Sequence, residues 1–94
     1  MRKKDSRLLK DLESVGKETL KDFQRLEISS VEQLSKQDPR RLYDQLGELS
    51  GAAHDICVLD VMVCAVAQAK NPNLPEAQRK WWYWSRKRKA SQKK

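Results

Sequence analysis

Residues 12–34, LESVGKETLKDFQRLEISSVEQL, hold helix signals that face each other across a short turn. Upstream, Leu8, Leu9 and Leu12 in SRLLKDL fit a short helix over residues 6–12 with those leucines inward. ESVG then forms a tight connection ending at Gly16. In KETLKDFQRL the apolar residues Leu20, Phe23 and Leu26 recur on one helical face. Ser30 opens a third helix, VEQLSK, with Gln33 three residues on as its capping-box partner. Period-two alternation is absent, so the stretch commits the chain to helices rather than strands.

Working outward, the same punctuation repeats. Asp38 with Pro39 starts a helix whose inner stripe is Leu42, Leu46 and Leu49, with Tyr43 beside it. Gly51 ends that helix and Asp55 opens the next, ICVLDVMVCAVAQA, which is apolar nearly all round and therefore expected to be the central element. KNPNLP is a loop, and Pro75 begins a last helix, EAQRKWWYW. Trp81 and Trp84, three residues apart, share a face expected to close the core, which leaves Trp82 and Tyr83 as candidates for contact with a partner. After Ser85 the block RKRKASQKK has almost nothing to bury and is expected to be disordered. The expectation is an all-α fold: one domain over residues 1–85 of five to six helices, followed by a disordered basic tail, 86–94.

Charge is divided unevenly. Residues 79–94 hold eight basic side chains and no acid, whereas residues 1–78 hold twelve basic against thirteen acidic. A negatively charged partner meets the C-terminal end first. No apolar run approaches the roughly 18 residues of a membrane span. The N-terminal MRKKDSRLLKDL lacks the apolar core of a secretory signal, so the cytoplasm is the default location. Cys57 and Cys64, seven residues apart on one helix, are about 10 Å apart and too distant for a disulfide. Two reduced, buried thiols fit that compartment. His54, Cys57 and Cys64, with Asp55 and Asp60, are the only metal-like set, and their apolar neighbours favour a core helix over a metal site. One histidine, no glycine-framed serine and no phosphate-cradling Gly-Lys-Ser motif argue against an enzyme, and no cofactor is expected. Asp60, in mid-helix, does not fit core logic and is expected to pair with Arg41 or Lys80 in a partly exposed groove, or to face a partner.

The layout of residues 6–26 resembles a helix-hairpin-helix module, whose turn reads hydrophobic-x-Gly-hydrophobic-Gly. Here it reads Leu12-Glu13-Ser14-Val15-Gly16, with Ser14 in place of the first glycine. The resemblance implies a SAM-domain-like helical fold and a turn whose N–H groups seat a DNA phosphate, carried here by Ser14, Val15, Gly16, Lys17 and Thr19. A longer resemblance covers residues 8–84. Asp38-Pro39 with Leu42-Tyr43, the run Asp55-x-Cys57-Val58-Leu59 with Cys64-Ala65-Val66, and the closing Trp81-Trp82-x-Trp84 resemble the small bacterial proteins of the pathogenicity-locus family. Many of that family carry a mitomycin-resistance label. Asp60 and Val63 depart from it, standing where an aromatic and an arginine are expected. Competence regulators of the TfoX type are similar more distantly.

Two function classes remain open on these grounds. The first is a nucleic-acid binder without sequence specificity, using the hairpin turn on one phosphate and Arg86, Lys87, Arg88 and Lys89 on others. The second is a protein-interaction module, homodimer included, with a degenerate hairpin that does not bind DNA.

Overall fold

The chain is organised around one helix, α4, Ile56–Lys70. The computed structural model describes residues 7–51 and 55–92. Before α4 come a 3-10 turn, Leu9–Asp11, and the helices α1, Lys17–Arg25, α2, Val31–Ser35, and α3, Pro39–Ser50. After it come a second 3-10 turn, Glu76–Arg79, and α5, Trp81–Gln92. No strand is present among the described residues.

α2, α3 and α5 all pack on α4, while α1 packs on α3. Phe23, Leu34, Leu42, Leu46 and Met62 are fully buried, joined by Leu12, Ile28, Val31, Ala65, Val66 and Ala69. Small residues on α4 let its neighbours approach, so one apolar helix serves several partners at once. No described helix is long and apolar enough to cross a membrane.

The predicted caps form. Ser30 Oγ accepts the Gln33 N–H at 3.0 Å, while the Gln33 amide accepts the Ser29 N–H at 2.9 Å and donates to the Glu27 carbonyl at 2.8 Å. Asp38 accepts the Arg40 N–H at 3.0 Å ahead of Pro39, and Gly51 closes α3 in the left-handed region, φ 70°. Asp55 accepts the Cys57 N–H at 2.9 Å, and that bond holds its carboxyl below the ordinary value. At the far end of α4, Arg7 donates to the carbonyls of Gln68 (2.9 Å) and Ala69 (3.3 Å), placing a cation where the helix dipole is negative.

Four expectations need correction. The first helix, 6–12, is only a 3-10 turn, because Leu12 turns extended (ψ 138°) and Ser14 enters the left-handed region at φ 67°. Leu8 is accordingly 55% exposed. Leu49 is 60% exposed, since α3 ends beside it at Gly51 and no described element covers its last turn. The final helix is broken at Lys80, which is extended and separates the 3-10 turn from α5. The basic stretch is helical through Gln92 rather than disordered, because Arg88 is tied to Asp60, so neither Arg41 nor Lys80 supplies that counter-charge.

Candidate nucleic-acid interface

The turn between the first 3-10 segment and α1 is held from below by a single side chain. Gln68, 3% exposed on α4, donates to the Glu13 carbonyl at 2.7 Å and accepts the Glu13 N–H at 2.9 Å. A side-chain amide thus replaces the backbone pairing that an irregular segment cannot make for itself. Leu12, 4% exposed, anchors the same turn in the core, and the partly buried Val15 packs against that core too.

Ser14 occupies the left-handed conformation at the position where the hairpin pattern puts its first glycine. Its hydroxyl offsets the strain. Oγ donates to the Arg79 carbonyl at 3.1 Å and accepts the Trp81 N–H at 3.0 Å, so the turn also caps the start of α5. Ser14→Ala is expected to cost about 1–3 kcal/mol by orphaning both groups. Ser14→Gly loses the same bonds yet regains about 1 kcal/mol of backbone strain. Urea unfolding should therefore rank stability Ser, then Gly, then Ala. An alanine variant as stable as the original would remove this role.

Glu13 would ordinarily repel an anion at the turn. Its carboxylate is instead met by Lys80 Nζ at 3.3 Å and Arg79 Nε at 3.4 Å. All three side chains are partly exposed, so the ion pairs contribute little stability. What they change is the local field, by surrounding the acid with two cations. Gly16 precedes α1 with an ordinary extended backbone, φ −97°, and a Cβ built there meets nothing within 4 Å. No side chain caps α1, and the first helical bond runs from the Leu20 N–H to the Gly16 carbonyl at 3.0 Å. The N–H groups of Lys17, Glu18 and Thr19 therefore begin the helix without backbone acceptors, beside open space and the exposed Lys17. Glu18 sits in the same first turn, with Lys21 at 3.8 Å from its carboxylate.

The structure brings Ser14, Val15, Gly16, Lys17 and Thr19 together and leaves Arg86, Lys87, Arg88 and Lys89 apart from them. α4 and α5 run antiparallel: Gln68 and Cys64 lie near the turn and Gln78, whereas Asp60 meets Arg88 at the opposite end. The eight-residue step from Asp60 to Gln68 spans about 12 Å of helix. The four tail cations also differ among themselves. Arg88 donates twice to the Asp60 carboxylate, at 2.8 and 3.0 Å, and the carboxylate raises the guanidinium pKa above its ordinary value. Lys87 lies over the rings of Tyr83 (5.8 Å) and Trp84 (5.6 Å). Arg86 and Lys89 are exposed and make no ion pair among the described residues.

Trp84 donates its indole N–H to the Gln78 carbonyl at 2.7 Å, and both it and Trp81 are half-buried, while Trp82 is 47% exposed. Tyr83 is half-buried as well. Gln68, Arg79 and Lys80 support the turn without being predicted from the sequence. For the first, the available signal was a glutamine inside a mostly apolar helix, a position shared in the interior only with Asp60.

Both cysteines are free; Cys64 is buried and Cys57 only partly so. Burial pushes the Cys64 thiol up, and the Asp55 carboxylate pushes Cys57 up through a hydrogen bond. Neither environment favours a nucleophilic thiolate. Among the described residues no three His, Cys, Asp or Glu side chains gather as metal ligands, and His54 lies outside those residues.

Residues 2–90 match the family model described as Cdd1, pathogenicity locus. The chain is 35% identical over 89 residues to the mitomycin resistance protein McrB of Streptomyces lavendulae, spanning 95% of this chain and 81% of that protein. No solved structure matches.

Proposed function

From the premise that the chain belongs to the pathogenicity-locus family, we propose that it is a non-enzymatic, helix-hairpin-helix type protein that binds nucleic acid through phosphate contacts, without sequence specificity. The observation that carries the reading is the open, uncapped start of α1 at Gly16, next to a left-handed Ser14 and a Glu13 enclosed by Arg79 and Lys80. Such a turn offers backbone N–H groups and a partial positive charge to one phosphate oxygen. Ser14 and Val15 shape the seat, Gly16 keeps it open, and Lys17 and Thr19 border the anion. Contacts of this kind position a protein on a duplex and read no bases. Two unpaired thiols support a cytoplasmic setting for this binding. The relative's name makes mitomycin resistance the setting in which the binding would be used.

One turn makes one phosphate contact, so strong binding needs further cations or a second copy. The test is fluorescence anisotropy of labelled duplexes of unrelated sequence at two salt concentrations. The expected result is similar affinity for every sequence and a steep fall with salt, each neutralised phosphate contributing about 0.9 to the log–log slope. Absence of binding even at low salt would overturn the reading and turn the search to a protein partner.

A further inference from the structure

α5 carries a second, exposed surface along one flank. Trp82, Arg86 and Lys89 stand at i, i+4 and i+7, within a helical arc of about 60°. All three are exposed, with Trp82 at 47%. Their neighbours on the helix are occupied elsewhere: Ser85 is buried, Arg88 is paired with Asp60, Trp84 is bonded to the Gln78 carbonyl, and Lys87 lies over Tyr83 and Trp84. The helix contains no acid, so nothing on α5 offsets the two free cations. We propose that Trp82, Arg86 and Lys89 form a stacking platform for single-stranded nucleic acid, the indole taking an unpaired base and the two cations following the phosphates.

The chemistry favours this occupant over the other anionic surfaces. A half-exposed indole flanked along one helix by cations combines a flat π face with a positive track, the pairing that unpaired strands require. A membrane surface calls for a broad apolar face. On α5 the apolar side is turned inward, with Trp81 and Trp84 half-buried and Ser85 buried. The track leads about 10 Å along the helix from Trp82 to Lys89. It begins beside the hairpin turn, because the Trp81 N–H is bonded to Ser14. The proposal rests on the nucleic-acid reading above for its class of partner, but not on the Gly16 seat.

The test measures anisotropy of labelled oligothymidylate, an abasic strand of equal length, and a duplex. Each is titrated with the full chain and with Trp82→Ala, Trp82→Phe and the double variant Arg86→Ala/Lys89→Ala. Loss of one stacked base should weaken oligothymidylate binding about 5- to 150-fold in Trp82→Ala. The phenylalanine variant should recover much of that loss, and abasic-strand binding should not change. The double variant should lower the single-strand salt slope by about 1.4. Duplex binding should respond less than about twofold to Trp82→Ala, so a failed Gly16 seat and a failed platform give different patterns. Equal loss on abasic and base-bearing strands would overturn the proposal, as would no loss at all. Tighter, Trp82-dependent binding to anionic phospholipid vesicles would also overturn it.

Discussion

An Arg88→Ala chain is expected to melt at least about 12 °C below the unaltered one, although Arg88 belongs to a stretch with almost nothing to bury. The reason lies on α4. Asp60 is 1% exposed and accepts both of its hydrogen bonds from that guanidinium, at 2.8 and 3.0 Å. Stranding a buried carboxylate costs about 3–5 kcal/mol. A domain of this size loses roughly 4–8 °C per kcal/mol. Replacing both partners by apolar residues, Asp60→Leu with Arg88→Met, should restore most of the loss, because a matched apolar pair avoids the desolvation penalty. Thermal melts followed by circular dichroism decide the matter. An Arg88→Ala melt within about 2 °C of the original would mean that the second half of α5 is not docked. The same pair rules out truncation after Ser85 as a clean probe of the basic end, since truncation removes Arg88 with the other cations. Arg86, Lys87 and Lys89 should be substituted instead.

The second large effect concerns the support of the turn. Gln68→Leu preserves much of the volume but leaves the N–H and C=O of Glu13 without the partners they have at 2.9 and 2.7 Å. Each unsatisfied group costs about 1–3 kcal/mol, so urea unfolding should show a loss of roughly 2–6 kcal/mol. Amide exchange at Glu13 should accelerate beyond the global change, and duplex affinity should fall under conditions where the chain is still folded. A loss below about 0.5 kcal/mol would show that the turn holds itself in place without α4.

Much of the architecture was legible because it rests on local chemistry. Ser30 with Gln33, Asp38 with Pro39, Gly51 and Asp55 each fix a helix end through residues within a few positions, and all four ends fall where read, with Gln33 reaching back to the Ser29 N–H rather than to that of Ser30. The apolar character of α4 announced its central place. What local reading could not supply was pairing across the fold. Asp60 needed a cation, but Arg88, 28 residues away, stood in a charge block whose composition argues for disorder. That ion pair ties the segment to α4 as a continuation of the docked aromatic half of α5. Leu49 satisfies the helical stripe yet lies on the last turn of α3, where periodicity says nothing about what covers it. The candidate site was half legible. The turn residues were found from their pattern, whereas Gln68, Arg79 and Lys80 reach it from 55 or more positions along the chain. The separation of the turn from Arg86–Lys89 follows from the antiparallel run of α4 and α5, which no spacing reveals.

A phosphate seat at the start of α1 makes a sharp prediction for Gly16→Asp. An aspartate is a better helix N-cap than glycine, and a Cβ at Gly16 meets nothing within 4 Å. The substitution should therefore stabilise the fold by a few tenths of a kcal/mol while filling the seat with the chain's own carboxylate. The expected result is a melting temperature equal to or above the original, together with at least about a tenfold loss of duplex affinity at low salt. Unchanged duplex affinity in a folded, stabilised Gly16→Asp chain would contradict the account.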